Sequence, residues 1–134
     1  IGDNVGFRKT YQTVVSIGGG TAKFAGYDPR MGYTVIIEHA GAGGKKFCSL
    51  YSHLSPFIHV RKGETVAKGA KIGAIGRHFT WENGGYGAHL YFGIFADSFD
   101  ACTGWQSTYI PEEEFQKGVK WVNPQAFLQQ HLKK

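Results

Sequence analysis

Short apolar and β-branched runs, separated by glycine, extend along most of the chain. No helical periodicity lies between these runs, and such runs bounded by turn residues are typical of β-strands. The strongest run spans Tyr33 to His39, and the glycines at 41–44 separate it from the next run as a hairpin turn would. The predicted strands cover residues 13–17, 21–25, 33–39, 46–53, 57–60, 71–75 and 89–95.

Signals for helices occur only near the C-terminal end. Pro111, followed by acidic residues at 112–114, places proline and negative charge where the first turn of a helix favours them. Asn123-Pro124 is typical of a helix N-cap and first turn. We therefore predict an all-β fold: a single antiparallel β-sandwich or open barrel, with residues 1–100 as its β core and 101–134 as an extension with short helices.

The length and composition fit one globular domain. The chain has 134 residues, of which 42% are hydrophobic and 19% are charged. No apolar run is long enough to span a membrane, and no signal segment opens the sequence. Because the chain begins with Ile1 and not with Met, we expect a processed or trimmed product from which an export signal could have been lost.

The formal net charge of +5 suits an anionic partner such as a cell-wall polymer, a nucleic acid or a membrane surface. The basic residues are scattered along the sequence, whereas a nucleic-acid footprint normally clusters them, so we expect no nucleic-acid partner. The two cysteines, Cys48 and Cys102, are either buried thiols or one disulfide, and we expect them close enough to bridge if the protein is exported.

Several motifs follow one another in order along the chain. Tyr51 to Leu54 has the form Y-x-H-L, and Val60 to Gly73 has the form V-x-x-G-x-x-V-x-x-G-x-x-I-G, in which Gly63 and Gly69 suit tight turns. The other motif-bearing segments are Val14 to Gly26, Gly32 to His39, Asn83 to Phe92 and Val122 to Pro124. Together these segments resemble the lysostaphin-like zinc metallopeptidases, which cut peptidoglycan cross-bridges, and the resemblance covers nearly the whole chain.

This resemblance implies a zinc ion held by His, Asp and His, with a metal-bound water that attacks the peptide carbonyl. Two further histidines of the family handle protons and the developing oxyanion. His53 in Y-x-H-L and His89 at the first position of H-x-H match these two catalytic positions. The ligand positions are altered: Tyr91 replaces the second His of H-x-H, Asn4 replaces the Asp, and the first His would precede Ile1.

Both replacements are poor zinc ligands, because an amide is neutral and a phenol with a pKa of about 10 is protonated at pH 7. His89 and Tyr91 should share one strand face, because side chains alternate along a strand. We expect the Tyr91 ring to enter the space of the missing metal and to hydrogen-bond Asn4, His53 or His89. No cofactor is therefore expected, and zinc is expected only if substitute ligands hold it.

Other residues are predicted around the same cleft, and the strands that carry His53 and His89 should be adjacent on one concave face. Large aromatic residues there could stack on a substrate or could fill the core instead. The predicted groove residues are Tyr33, Trp81, Asn83 and Tyr86. His39 should be structural or at the groove edge, and His59 should be solvated.

The resemblance implies a degenerate peptidoglycan endopeptidase domain that binds cell-wall peptide or a protein partner. One alternative is an active zinc endopeptidase with substitute ligands. Another is a structural module of a larger secreted or virion-type assembly. The family implies a location outside the cell, in the periplasm or in the cell envelope, and the sequence indicates no oligomeric state.

Overall fold

The computed structural model describes residues 12–76, 90–102 and 121–122. These residues form the strands β1 (Thr13–Val15), β2 (Gly20–Asp28), β3 (Gly32–Ala40), β4 (Lys46–Leu54), β5 (Thr65–Val66), β6 (Lys71–Ala74), β7 (Tyr91–Phe95) and β8 (Trp121–Val122). Within these ranges the helical elements are two short 3-10 turns, Ala42–Gly44 and Phe99–Ala101. The helices predicted after residue 110 lie outside the described residues.

The strands form one large and one small antiparallel sheet, which confirms the predicted all-β class. The large sheet has six strands in the order β5-β2-β3-β4-β7-β8, and the small sheet pairs β1 with β6. The predicted hairpin joins β3 to β4 through Ala42–Gly44. Two-residue β8 pairs with β7, so the C-terminal extension contributes a strand to the large sheet.

The strand predicted at 57–60 is wrong. Ile58 and Val60 do pack on the core, but the segment makes few backbone hydrogen bonds to a neighbour. His59 N donates to Ile72 O at 3.0 Å, whereas Ile58 N donates to Pro56 O within the same segment at 3.0 Å. The alternation of apolar and polar residues therefore predicted correctly which side chains pack on the core, but this segment lacks the ladder of backbone hydrogen bonds that defines a strand.

The two faces of the large sheet bury different side chains. Val35 and Ile37 of β3 belong to one hydrophobic cluster, and Ile36 between them belongs to another. This alternation follows from the two-residue period of a strand. We call the side of Val35 and Ile37 the core face and the side of Ile36 the cleft face.

The small sheet covers the core face. Val14 of β1 and Ile72 of β6 pack with Val35, Ile37 and Tyr51 of the large sheet. All five side chains are at least 95% buried, and each buried side chain of this size contributes about 1.5–3 kcal/mol. This contact between two sheets makes the molecule a β-sandwich.

The cleft face is partly covered by the segment that follows β7. Phe95 and Cys102 pack with Ile36 and Leu50. Phe99 N donates a 2.9 Å hydrogen bond to the Glu38 carboxylate, which fixes the second 3-10 turn onto this face. In the part of the chain that the structure describes, no helix is long and apolar enough to cross a membrane.

Candidate functional site

A β-bulge in β4 positions the Y-x-H-L histidine. Tyr33 pairs with Leu54 and Val35 pairs with Tyr51, so β4 uses one more residue than β3 over this stretch. Tyr51 and Leu54 consequently both pack on the core face, although they are three residues apart. The extra residue turns His53 away from that face, and re-aiming a side chain is a recurrent use of bulges.

His53 has an unusual backbone conformation for a residue with a side chain. Its φ is 65°, and it is the only residue other than glycine with positive φ in the described ranges. Two hydrogen bonds hold it: His53 N donates to Met31 O at 3.1 Å, and Gly76 N donates to His53 O at 2.8 Å. A strained conformation held in this way, on a side chain that is 4% exposed, is typical of functional positions.

Tyr91 lies beside this histidine. It pairs with Ser52 across β4 and β7, and its ring meets the His53 ring edge-on, with the centroids 5.5 Å apart. Its neighbours Leu90 and Phe92 pack on the core face, so Tyr91 projects from the cleft face. The Tyr91 side chain is 40% exposed and can therefore be reached by a ligand.

Small polar side chains form the floor next to this pair. Thr34 Oγ1 and Ser52 Oγ share a 2.8 Å hydrogen bond, and both residues are fully buried. Thr34 Oγ1 also donates to Gly32 O at 3.1 Å. Neither residue was singled out from the sequence, because only the bulge places Ser52 and His53 together on this side of β4.

The predicted site residues are only partly within the described ranges. His53 and Tyr91 are in contact, and their strands β4 and β7 are neighbours. Tyr33 is half-buried on the core face, where its ring lies 5.2 Å from that of Tyr27, so it is not brought together with His53 and Tyr91. The predicted residues outside the described ranges are Asn4, Trp81, Asn83, Tyr86 and His89.

A zinc site needs three or four donors that converge on one point. Among residues 12–76, 90–102 and 121–122, no group of three His, Cys, Asp or Glu side chains could hold a metal ion. The Nδ1 atom of His53 is buried and makes no hydrogen bond, and the aromatic ring that the described residues place beside it is the Tyr91 phenol. The described residues by themselves therefore do not fit a zinc centre.

A second histidine belongs to a polar chain that the sequence did not indicate. His39 Nδ1 lies 2.7 Å from Gly19 O, and His39 Nε2 lies 2.7 Å from Ser49 Oγ. Ser49 Oγ lies 2.8 Å from the Tyr51 hydroxyl, which accepts the Ile17 N–H at 3.0 Å. Burial lowers the pKa of His39 and raises the pKa of Tyr51, which keeps both groups neutral. His39 is therefore structural, which was one of its two predicted roles.

The two cysteines are free buried thiols that pack in the same cleft-face cluster. Burial is the main cause that raises the pKa of Cys48 to about 12, and nearby Cys102 adds to that rise. Burial likewise raises the pKa of Cys102 to about 12. Thiols with such pKa values are unreactive near neutral pH, because the thiolate is the nucleophile.

Comparisons with known proteins converge on one family. The sequence profile of peptidase family M23 matches residues 5–101. A comparison with curated protein sequences gave no match. Solved structures match 66–90% of this chain with TM-scores of 0.52 to 0.57, which indicates a shared fold.

Three of these structures carry the comparison. A chain of the SpoIIIAH and SpoIIQ complex is 25% identical, with a TM-score of 0.57, and the match covers 86% of this chain and 61% of that one. The catalytic domain of lysostaphin, an antimicrobial peptidase from Staphylococcus simulans, is 25% identical, with a TM-score of 0.55 and coverage of 83% and 74%. A glycyl-glycine endopeptidase LytM from Ruminococcus gnavus is 25% identical, with a TM-score of 0.52 and coverage of 66% and 35%. The chain thus spans less than two thirds of the first and third of these proteins.

Proposed function

The chain belongs to peptidase family M23, and we propose that it is a non-catalytic member that binds cell-wall peptide or a protein partner on its cleft face. One observation carries the proposal: Tyr91 stands where the family motif has a zinc-binding histidine, and its ring packs edge-on against His53. A neutral phenol is a poor ligand for zinc at pH 7. We expect the protein to act outside the cell or in the cell envelope.

The cleft face keeps features that suit binding. Tyr91 combines an apolar ring with a hydroxyl and is 40% exposed, and tyrosine is a frequent anchor residue in binding sites. Beside it, His53 keeps a strained backbone conformation with positive φ, and such strain is typical of residues with a functional role. A peptide that lies along this face would stack on Tyr91 and contact the His53 edge.

The relatives support two different uses of the fold. The SpoIIIAH and SpoIIQ structure is a complex of two proteins, and it favours a partner-binding role for this chain. Lysostaphin is a peptidase, and it favours the alternative of retained hydrolysis with substitute ligands. We favour the partner-binding role, because Tyr91 occupies a zinc-ligand position of the family motif and hydrolysis in this family depends on the metal.

The proposal is tested with zinc analysis, a hydrolysis assay and binding to purified peptidoglycan. We expect the purified wild-type protein, with its native N-terminus, to hold no stoichiometric zinc and to leave a peptidoglycan suspension turbid. We also expect it to sediment with peptidoglycan, or otherwise to capture a protein from an envelope extract. Stoichiometric zinc together with clearing of the suspension would end the non-catalytic interpretation.

A pair of tyrosine variants locates the binding surface. Tyr91→Ala should weaken the binding about tenfold or more, as for a typical aromatic anchor residue. Tyr27→Ala is the matched control, because Tyr27 is 42% exposed, close to the 40% of Tyr91, but lies on a different strand. Equal losses in the two variants would contradict a site on the cleft face. Tyr91→His alone should not restore hydrolysis, since the other altered ligand positions remain.

A further inference from the structure

Excess positive charge is concentrated in one segment of the described chain. Residues 12–76, 90–102 and 121–122 contain eight Lys or Arg and five Asp or Glu. Four of these basic residues and one of the acidic residues fall within residues 57–71, so this segment carries the whole excess of three charges. Over the other described residues, four basic side chains face four acidic ones.

The four basic side chains are exposed and have no counter-charge among the described residues. Arg61, Lys62, Lys68 and Lys71 are all solvent-exposed, and none of them forms an ion pair with another described residue. The acid of the segment, Glu64, is engaged elsewhere, because its carboxylate accepts the Arg61 backbone N–H at 2.8 Å. By contrast, outside this segment, Lys23 and Lys46 lie 3.8 and 3.6 Å from the Glu38 carboxylate.

Two lysines occupy the same position in two equivalent turns. Glu64 N donates to Arg61 O, and Ala70 N donates to Ala67 O, each at 3.0 Å. The third residue of each turn is a glycine with positive φ, 92° at Gly63 and 81° at Gly69. This is the pattern of a type II turn, in which the second residue is at the corner. Lys62 and Lys68 are these corner residues, so both ammonium groups project from the surface.

Backbone hydrogen bonds hold the two turns to Ala22 in β2 and to Ser16, which follows β1. Gly63 N donates to Ala22 O at 2.7 Å, and Gly69 N donates to Ser16 O at 2.8 Å. A groove of about 550 Å³, lined by Ile58 to Glu64, runs along the first turn. The backbone that carries the two lysines is therefore preorganised, and Lys62 lines the groove, so an anion can bind without the cost of ordering the backbone.

We propose that these two lysine turns, Arg61–Glu64 and Ala67–Ala70, form a docking surface for a flexible polymer that carries repeated phosphates. Three of the four cations are lysines, which bind phosphate as point charges, and a flexible polymer with repeated phosphates can bring one anion to each of these separate cations. The turns contain no aromatic residue on which nucleic-acid bases would stack. The choice of a cell-wall polymer rests on the proposed function, but the basic surface itself does not.

This surface and the cleft face are on opposite sides of the large sheet. Val60, Val66 and Ile72 anchor the segment to the core face, whereas Tyr91 projects from the cleft face. A polymer bound to the lysine turns would leave Tyr91 accessible. The domain would then hold the wall polymer on one side and its peptide or protein partner on the other.

The test measures binding of inorganic polyphosphate and of purified poly(glycerol phosphate) to the whole chain at several salt concentrations. Lys62→Gln/Lys68→Gln should bind both probes about tenfold or more weakly than wild type, with a shallower salt dependence. Arg30→Gln/Lys45→Gln removes the same charge from exposed positions outside the segment, and it should bind within about twofold of wild type. Thermal melting checks that both variants fold.

Three results would overturn the proposal. These are equal losses in the two double variants, binding that salt does not weaken, and tighter binding of a single-stranded oligonucleotide than of polyphosphate with the same number of phosphates. Capture of peptidoglycan stripped of its phosphate polymers reports on the cleft face separately. If the protein captured neither this stripped peptidoglycan nor an envelope protein but still bound polyphosphate, the proposed function would be refuted and this surface would remain.

Discussion

At the scale of single residues, His53 shows how the backbone and the candidate site are coupled. Its left-handed conformation, with φ at 65°, is the one that glycine adopts at little cost and that other residues adopt at a cost of about 1–2 kcal/mol. The bulge and two backbone hydrogen bonds hold this conformation. The strain and the orientation of the imidazole therefore have the same cause.

A pair of substitutions at this position tests the strain. His53→Gly should be more stable than His53→Ala by about 1 kcal/mol, because only alanine retains the penalty of positive φ. The measurement is urea unfolding of both variants. At exposed Val15 in β1, the extended backbone should give the opposite order, with Val15→Ala more stable than Val15→Gly by about 0.5–1 kcal/mol. If the alanine variant were more stable than the glycine variant at both positions, His53 would not keep its left-handed conformation in solution.

At the scale of elements, β2 depends on one glycine for its close contact with β3. A Cβ atom added at Gly20 would collide with the backbone carbonyl of Glu38 and approach the Ile37 side chain. A backbone carbonyl in a central strand cannot move aside without loss of ladder hydrogen bonds. A Cβ atom added at Gly26, in the same strand, would meet no atom of the other described residues nearer than Phe24 Cζ at 4.0 Å.

This contrast gives a prediction within a single strand. Gly20→Ala should lower the free energy of unfolding by about 2–3 kcal/mol, as expected for overpacking against a rigid neighbour. Gly26→Ala should be neutral or slightly stabilising, because alanine restricts the unfolded chain and meets open space in the folded one. Chemical denaturation of the two variants compares them directly. A Gly26→Ala loss as large as that of Gly20→Ala would contradict the packing described for β2.

At the scale of the whole molecule, the His39 chain links the large sheet to the segment that leads from the small sheet. His39 on β3 bonds to Gly19, and Tyr51 on β4 bonds to Ile17, both between β1 and β2. Because Gly19 O can only accept, His39 Nδ1 carries a hydrogen. Protonation of the ring would place a positive charge in this buried chain, which is why burial lowers the pKa of His39.

Stability should therefore fall on the acid side of neutrality. The pKa of His39 in the folded state is below that of the unfolded state, so the unfolded chain takes up the proton first. This contribution to stability is complete above a pH of about 6.5 and is lost as the pH falls from there through the folded-state pKa. Urea midpoints at about pH 7.5 and about pH 5 measure the loss in wild type.

The control for this titration is His39→Gln, which keeps a polar side chain but cannot titrate. We expect it to be less stable than wild type at neutral pH by about 1–3 kcal/mol, because its shorter amide cannot satisfy both Gly19 and Ser49. Its decline in stability between the two pH values should be smaller than that of wild type. An equal decline in the two proteins would assign the acid sensitivity to a titratable group other than His39.

Much of the fold and part of the candidate site could be predicted from local patterns. The strands around Val35 and Leu50 and the hairpin between them follow from β-branched runs and glycine turns, which act over a few residues. The prediction that Tyr91 replaces a histidine of the H-x-H motif likewise needs no coordinates, because a side chain's capacity to bind a metal depends on its chemistry. The prediction of a strand at 57–60 was wrong because the alternation of apolar and polar residues indicates which side chains are buried, but not which backbone groups form hydrogen bonds.

The sequence by itself thus determined the class of fold and its family, and its motifs predict an altered ligand position at Tyr91, since these depend on residue type and on spacing along the chain. Only the tertiary structure decided which of these residues meet. The bulge that turns His53 toward Tyr91 depends on how β3 and β4 pair, and a histidine at positive φ gives no signal in the sequence. Likewise, hydrogen bonds to Ala22 and Ser16, both distant along the chain, hold the two glycine turns that carry Lys62 and Lys68. Pairing between distant segments creates these arrangements, and no local pattern encodes it.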